Sequence, residues 1–176
     1  MKRYVVGFCF DYNHENVLLI RKNRPDWQVG RFNGLGGKIE KGESPLAAMG
    51  REFVEETGGR GLPDVRGETL TWRPFARLRG TDPAGDSFEV WFFHARAGIS
   101  GHFLSELEGF CVDGEVLHWV SMWRLGRYLL IPNLLYLVPM ARNHSLGLDS
   151  AGFFEVSELA EVPGECVSSA VKDTCG

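Results

Sequence analysis

Glu52, Glu55 and Glu56 stand at i, i+3 and i+4 in a segment, Leu46 to Thr57, that reads as a helix. At about 100° per residue they share an arc of roughly 100° on one helix face. Three carboxylates this close repel each other, by roughly a few tenths of a kcal/mol per exposed pair. Such a face is either solvated or neutralised by cations. Hard divalent cations such as Mg²⁺ take oxygen ligands of this kind and keep places for water and substrate phosphates. The glycines Gly34, Gly36 and Gly37 just upstream would let backbone amides and carbonyls approach the same cations or phosphates. Alone, an E-x-x-E-E helix also reads as a solvated face, and a Gly-Gly pair as a turn.

The elements that must position these residues are legible around them. Ser44-Pro45 is a helix start, with Ser as N-cap and Pro at the first helical position, and Gly58-Gly59 ends the helix. Gly50, inside it, is read as a point of close packing against a sheet. Tyr4 to Phe10 and Val17 to Arg21 read as strands of a hairpin turned by Asp11 to Glu15. Lys22 to Phe32 reads as a loop. Thr69 to Leu78, Phe88 to Ala95 and the short Val116 to Met122 read as further strands. Asn133 to Arg142 reads as a second helix, bent or shortened by Pro139. Gly152 to Val156 is a candidate added strand, and 164–176 a frayed tail. Strands interleaved with two unequal helices predict a mixed α/β sandwich rather than a doubly wound parallel sheet.

Composition limits the function classes. The 176 residues suit one domain, set at 1–146 with an extension over 147–176. With 19 Lys and Arg against 23 Asp and Glu, the net charge of −4 argues against coating a nucleic-acid polymer. No apolar run approaches the ~18 residues of a membrane span. Cys9, Cys111, Cys166 and Cys175 form no C-x-x-C pair and, without an export signal, read as reduced thiols of a cytoplasmic protein. The five histidines, His14, His94, His102, His118 and His144, show no zinc spacing.

The spacing of the acidic segment is specific. Gly37, five residues, Glu43, seven residues, then Arg51-Glu52-Phe53-Val54-Glu55-Glu56-Thr57-Gly58 resembles the signature of the Nudix (MutT-type) hydrolases. All seven fixed-identity positions are present: Gly37, Glu43, Arg51, Glu52, Glu55, Glu56 and Gly58. Phe53 and Gly59 depart from the usual aliphatic residues, and both are packing positions.

The resemblance implies an α/β/α sandwich with a mixed β-sheet and hydrolysis of a nucleoside diphosphate linkage with Mg²⁺ or Mn²⁺. It implies Glu52, Glu55 and Glu56 as metal ligands beside the Gly36 carbonyl, with Glu52 also the candidate base. Arg51 and Glu43 would hold the carboxylates in place. Glu115 is the candidate ligand from a later loop, with Glu106 and Glu108 as rivals. The loop from Phe32 to Lys38 is similar to that of Nudix sanitisers of oxidised purine nucleoside triphosphates. Asn33 is therefore a candidate reader of the purine edge or a turn residue. Asn133 is a candidate second base reader or a helix N-cap. Gly37, Lys38 and Arg21 are candidates for the phosphates, within a basic segment that includes Lys22 and Arg24. Trp27 is a candidate stacking surface, and Trp27 and Trp123 are expected to be the more exposed tryptophans. The expected substrate is a nucleoside triphosphate, oxidised or noncanonical, cleaved to monophosphate and pyrophosphate. The alternatives are ADP-ribose, a dinucleotide, a capped RNA end, or a silent nucleotide-sensing module. A homodimer is left open.

Overall fold

A computed structural model describes residues 1–59, 70–82, 84–97, 106–148 and 152–157. The β-branched and aromatic runs pair into a mixed sheet. Its strands are β1 (Lys2–Phe10), β2 (Asn16–Arg21), β3 (Phe32–Asn33), β4 (Arg73–Thr81), β5 (Ser87–Arg96), β6 (Cys111–Val112), β7 (Glu115–Ser121) and β8 (Phe154–Ser157). Their order is β6-β7-β2-β1-β5-β4-β8, with β3 beside β2. β1 runs parallel to β5 and β4 parallel to β8, while the other pairs are antiparallel. Among the described residues two long helices cover the sheet: α1 (Pro45–Thr57) and α2 (Leu134–Ser145).

The alternation of a strand decides which layer each side chain joins. Val5 and Cys9 of β1, with Leu18 and Ile20 of β2, pack with Met49 and Phe53 of α1. Phe8 and Phe10, with Val17 and Leu19, pack instead with Leu134, Val138 and Ala141 of α2. The result is the α/β/α sandwich. Asp11 fixes the β1–β2 turn by accepting from the Glu15 amide and the Asn16 side chain, each at 2.7 Å.

Several expectations need correction. Gly50 is not a packing glycine, because a Cβ there would meet nothing within 4 Å. The close approach belongs to Gly7 of β1, where a Cβ would lie 2.6 Å from Met49 Cε and 2.7 Å from Trp72. The loop from Lys22 contains a 3-10 turn at Asp26–Gln28 and ends in β3. β7 stops at Ser121, and Met122–Arg127 coils into a second 3-10 segment. β4 begins at Arg73 and runs to Thr81, and Thr69 lies outside the described residues. α2 continues through Pro139 to Ser145, although proline removes one helical hydrogen bond. Residues 164–176 also lie outside the described residues. No helix among the described residues is long and apolar enough to cross a membrane.

Candidate active site

The loop before α1 is drawn onto β1 by backbone bonds. Gly7 N–H donates to Leu35 O at 2.6 Å and Val5 N–H to Gly37 O at 2.9 Å. Between them the Gly36 N–H turns to the helix and donates to Glu56 Oε2 at 2.7 Å. This geometry requires both glycines. Gly36 has φ +146°, and a Cβ would strike the Val5 carbonyl oxygen at 2.1 Å; a Cβ on Gly37 would fall 2.4 Å from Glu52 Oε2. The Gly-Gly pair therefore does more than turn the chain: it lets the loop backbone touch Glu56 and Glu52.

α1 begins as its sequence predicts. Ser44 Oγ accepts from the Ala47 amide at 3.2 Å, and Gly58 ends the helix at φ +60°. Phe53, at the usual aliphatic position, is buried edge-on against Trp72 at 5.4 Å between ring centroids. The larger ring is thus accommodated by an aromatic partner. Gly59 adopts φ +74° in open space and packs nothing.

Arg51 organises the carboxylates. Its Nε and Nη2 grip Glu43 at 3.0 and 3.1 Å. Nη1 donates to Glu52 Oε1 at 2.9 Å and Glu55 Oε2 at 3.2 Å, and Nη2 donates to Lys38 O at 2.9 Å. One planar guanidinium thereby ties the loop, Glu43 and two glutamates of the helix together. Hydrogen bonds from Arg51 hold the Glu43 carboxyl below its ordinary value. Burial raises Glu52 above its ordinary value despite the opposing bond from Arg51. Burial pushes Glu56 up to about 8, against the pull of the Lys22 ammonium and the Gly36 amide and with help from the charges of Glu52 and Glu115.

Glu115 opens β7, 6% exposed. Its Oε2 accepts from Lys22 Nζ at 2.6 Å. Sequence reading placed Glu115 near the site but missed this partner. The signal lies in strand pairing: Arg21 of β2 is opposite Val116 of β7, so Lys22 meets Glu115. The rivals lie elsewhere in use or position. Glu108 binds His118 Nδ1 at 2.9 Å and the Trp119 amide at 2.7 Å, and Glu106 is exposed.

Two of the candidate nucleotide residues, Asn33 and Asn133, lie on segments that meet at β3. Phe32 N–H donates to Leu129 O and Ile131 N–H to Phe32 O, which brings the segment leading to Asn133 alongside Asn33. Asn33 Oδ1 accepts from the Gly34 amide at 2.8 Å, a turn contact that leaves its amide nitrogen only a 3.5 Å contact with Gln28. Asn133 occupies the N-cap position of α2, but its side chain caps nothing; its backbone is helical rather than extended. Trp27 and Trp123 are 62% and 80% exposed. Arg21 and Lys38 have exposed side chains.

The donor set suits a hard divalent cation, since Glu52, Glu56 and Glu115 offer only oxygens. As they stand, no three acidic, histidine or cysteine side chains among the described residues are gathered tightly enough to form a metal shell. Instead, Arg51 holds Glu52, Lys22 holds Glu115, and the Gly36 amide donates to Glu56.

Known proteins carry the same arrangement of elements. A MutT protein from Bacillus halodurans is 21% identical, with a TM-score of 0.55 over 79% of this chain and 80% of that one. A MutT protein studied from Aliivibrio salmonicida and Vibrio cholerae is 24% identical, with a TM-score of 0.55 over 81% and 98%. The NUDIX domain of Shewanella oneidensis NrtR, complexed with ADP ribose, is 14% identical, with a TM-score of 0.55 over 81% and 87%. At these identities the likeness is one of fold. The family model of the NUDIX domain, however, matches residues 1–134, and its span contains the whole carboxylate segment. The chain therefore belongs to the NUDIX domain family, whose hydrolases are in general pyrophosphohydrolases that use divalent metals such as Mg²⁺.

Proposed function

We propose that the protein is a Mg²⁺-dependent pyrophosphohydrolase that cleaves a purine nucleoside triphosphate to the monophosphate and pyrophosphate. The observation that carries this reading is the charge imbalance around α1. Glu56 is pushed up to about 8 by burial, with the charges of Glu52 and Glu115 adding to it. Such a carboxyl gains most from a cation that arrives with the substrate. Glu52, Glu55, Glu56 and Glu115 would hold that cation, beside the Gly36 carbonyl. When bound it neutralises phosphate charge and activates water for attack.

The chain's own residues do the rest. Arg51, fixed by Glu43, keeps Glu52 and Glu55 pointed along one helix face. Glu52 is the candidate base, because burial raises its affinity for a proton while Arg51 keeps it oriented. Lys38 and Arg21, both exposed, are the candidate residues for the phosphates. Trp27, Asn33 and Asn133 supply a stacking surface and amides for a purine edge, oxidised purines included.

The test is a screen of purine nucleoside triphosphates, their oxidised forms and ADP-ribose with Mg²⁺, with products separated and identified. Monophosphate and pyrophosphate from a triphosphate, lost in Glu56→Gln, is the expected result. Cleavage of ADP-ribose alone would replace the substrate assignment. Metal-dependent turnover that Glu56→Gln leaves unchanged would refute the site.

A further inference from the structure

Two cations serve the acidic site, and they are built differently. Arg51 is a rigid fork engaged by Glu43, Glu52, Glu55 and the Lys38 carbonyl. Lys22 is a point charge on a flexible stem with one carboxylate contact, Glu115 Oε2 at 2.6 Å. The two side chains are 16% and 7% exposed, so water screens the pair weakly. The other oxygen of Glu115 has only a long contact, 3.4 Å, from the Asn23 amide. Arg51 makes no hydrogen bond or ion pair to Glu56. An ammonium can leave one oxygen for another without breaking a bidentate geometry, whereas Arg51 cannot move without releasing the loop.

We propose that Lys22 is an exchangeable counter-cation of the site. It holds Glu115 while no divalent cation is bound, gives Glu115 up when one binds, and then takes a phosphate oxygen of the nucleotide. The inference rests on the hydrolase reading above. In its first state Lys22 is a positioning residue acting through Glu115. The two states predict effects of opposite sign. Removing the ammonium removes a competitor for the divalent cation and a partner for the phosphate. A merely structural ion pair would move both bindings the same way or neither.

The experiment titrates the full chain with Mn²⁺ in the absence of nucleotide, counting free Mn²⁺ by electron paramagnetic resonance. It compares wild type with Lys22→Met, Lys22→Gln, Lys22→Arg and Glu56→Gln, then measures KM and kcat separately. Loss of a close, poorly screened competing charge should tighten Mn²⁺ binding about 5- to 20-fold in Lys22→Met and Lys22→Gln. KM for the nucleotide should rise about tenfold with a smaller change in kcat. Lys22→Arg should return both to within about threefold of wild type. Lys22→Gln keeps a hydrogen-bond donor beside Glu115, so the comparison survives if Lys22→Met does not fold. Unchanged or weaker Mn²⁺ binding in both neutral variants, with wild-type binding still lost in Glu56→Gln, would overturn the exchange and leave the hydrolase reading intact. No Mn²⁺ binding in wild type or in either neutral variant would overturn the exchange, and absence of metal-dependent turnover of any nucleotide would besides overturn the hydrolase reading.

Discussion

Two carboxylates on the α1 side of the sheet are treated in opposite ways. Glu89 of β5 is 3% exposed and accepts from Trp91 Nε1 at 2.9 Å, Arg79 Nε at 3.1 Å and Arg3 Nε at 3.2 Å. Arg77 Nη1 stands 3.6 Å away. Burial alone would raise its pKa, but these donors hold the carboxyl below its ordinary value. Glu56 is also buried, yet it is pushed up to about 8. Around Glu89 three guanidinium groups serve one carboxylate; around α1 one guanidinium is shared by Glu43, Glu52 and Glu55. The Glu89 cluster is rich in positive charge and ties β1, β4 and β5 together. The α1 cluster has fewer cationic partners for its carboxylates, and the proposed metal-dependent reading rests on that shortage.

Breaking the second cluster should cost activity, and breaking the first should cost stability. Arg51→Ala frees Glu43, Glu52 and Glu55 at once, and turnover should fall about 100- to 1000-fold in initial-rate assays, because misplaced groups lose catalytic geometry. Gly37→Ala puts a methyl where the Glu52 carboxylate now lies. Since that carboxylate is the movable end of a side chain, activity should drop about 10- to 100-fold with little change in melting temperature. Gly7→Ala instead meets Met49 and Trp72 in the packed core and should destabilise by about 1–3 kcal/mol in urea unfolding. Glu89→Gln should lower Tm by about 5 °C while kcat stays near wild type.

The pH responses separate the clusters more finely. The folded-state pKa of Glu56 is raised from its ordinary 4.5 to about 8. The metal-free fold therefore binds a proton more strongly than the unfolded chain, and this contribution to stability is lost as pH rises from 4.5 through about 8. A bound divalent cation replaces that proton, so the rise in Tm caused by Mg²⁺ should be larger at pH 8 than at pH 6. His94 behaves in the reverse sense. Burial first, then the neighbouring His144 ring at 2.8 Å, lowers its pKa from 6.5 to about 4. Its contribution is present above 6.5 and is lost as pH falls toward 4, a small acid destabilisation that thermal melts at pH 7 and pH 5 would register and that Mg²⁺ would not alter.

The difference between the clusters also explains what the sequence could reveal. The α1 cluster is local: Gly37 to Gly58 contains the loop, the cap, the guanidinium and the glutamates, so residue type and spacing expose it. The Glu89 cluster is assembled from Arg3, Arg77, Arg79 and Glu89 on three strands, and only strand register brings them together. The same applies to Lys22 and Glu115, which pairing between β2 and β7 makes neighbours. A helical glycine such as Gly50 carries no sign in the sequence of what faces it, whereas Gly7, hidden in an apolar strand, is the residue that lets α1 approach. The two strands that make the β1–β2 hairpin were legible from alternation and turn residues. The 3-10 segments at Asp26–Gln28 and Met122–Arg127 were not, because they follow from how chain ends must meet rather than from local preference.

The central claim is that the carboxylates of α1 lack a cation that the reaction supplies. The most direct measurement is Mg²⁺-dependent release of pyrophosphate from a purine nucleoside triphosphate by wild type, Glu56→Gln and Glu89→Gln, each corrected for folded fraction. Turnover is expected in wild type and Glu89→Gln, with a loss of about 1000-fold or more in Glu56→Gln. Equal Mg²⁺-dependent turnover in all three proteins would contradict the claim.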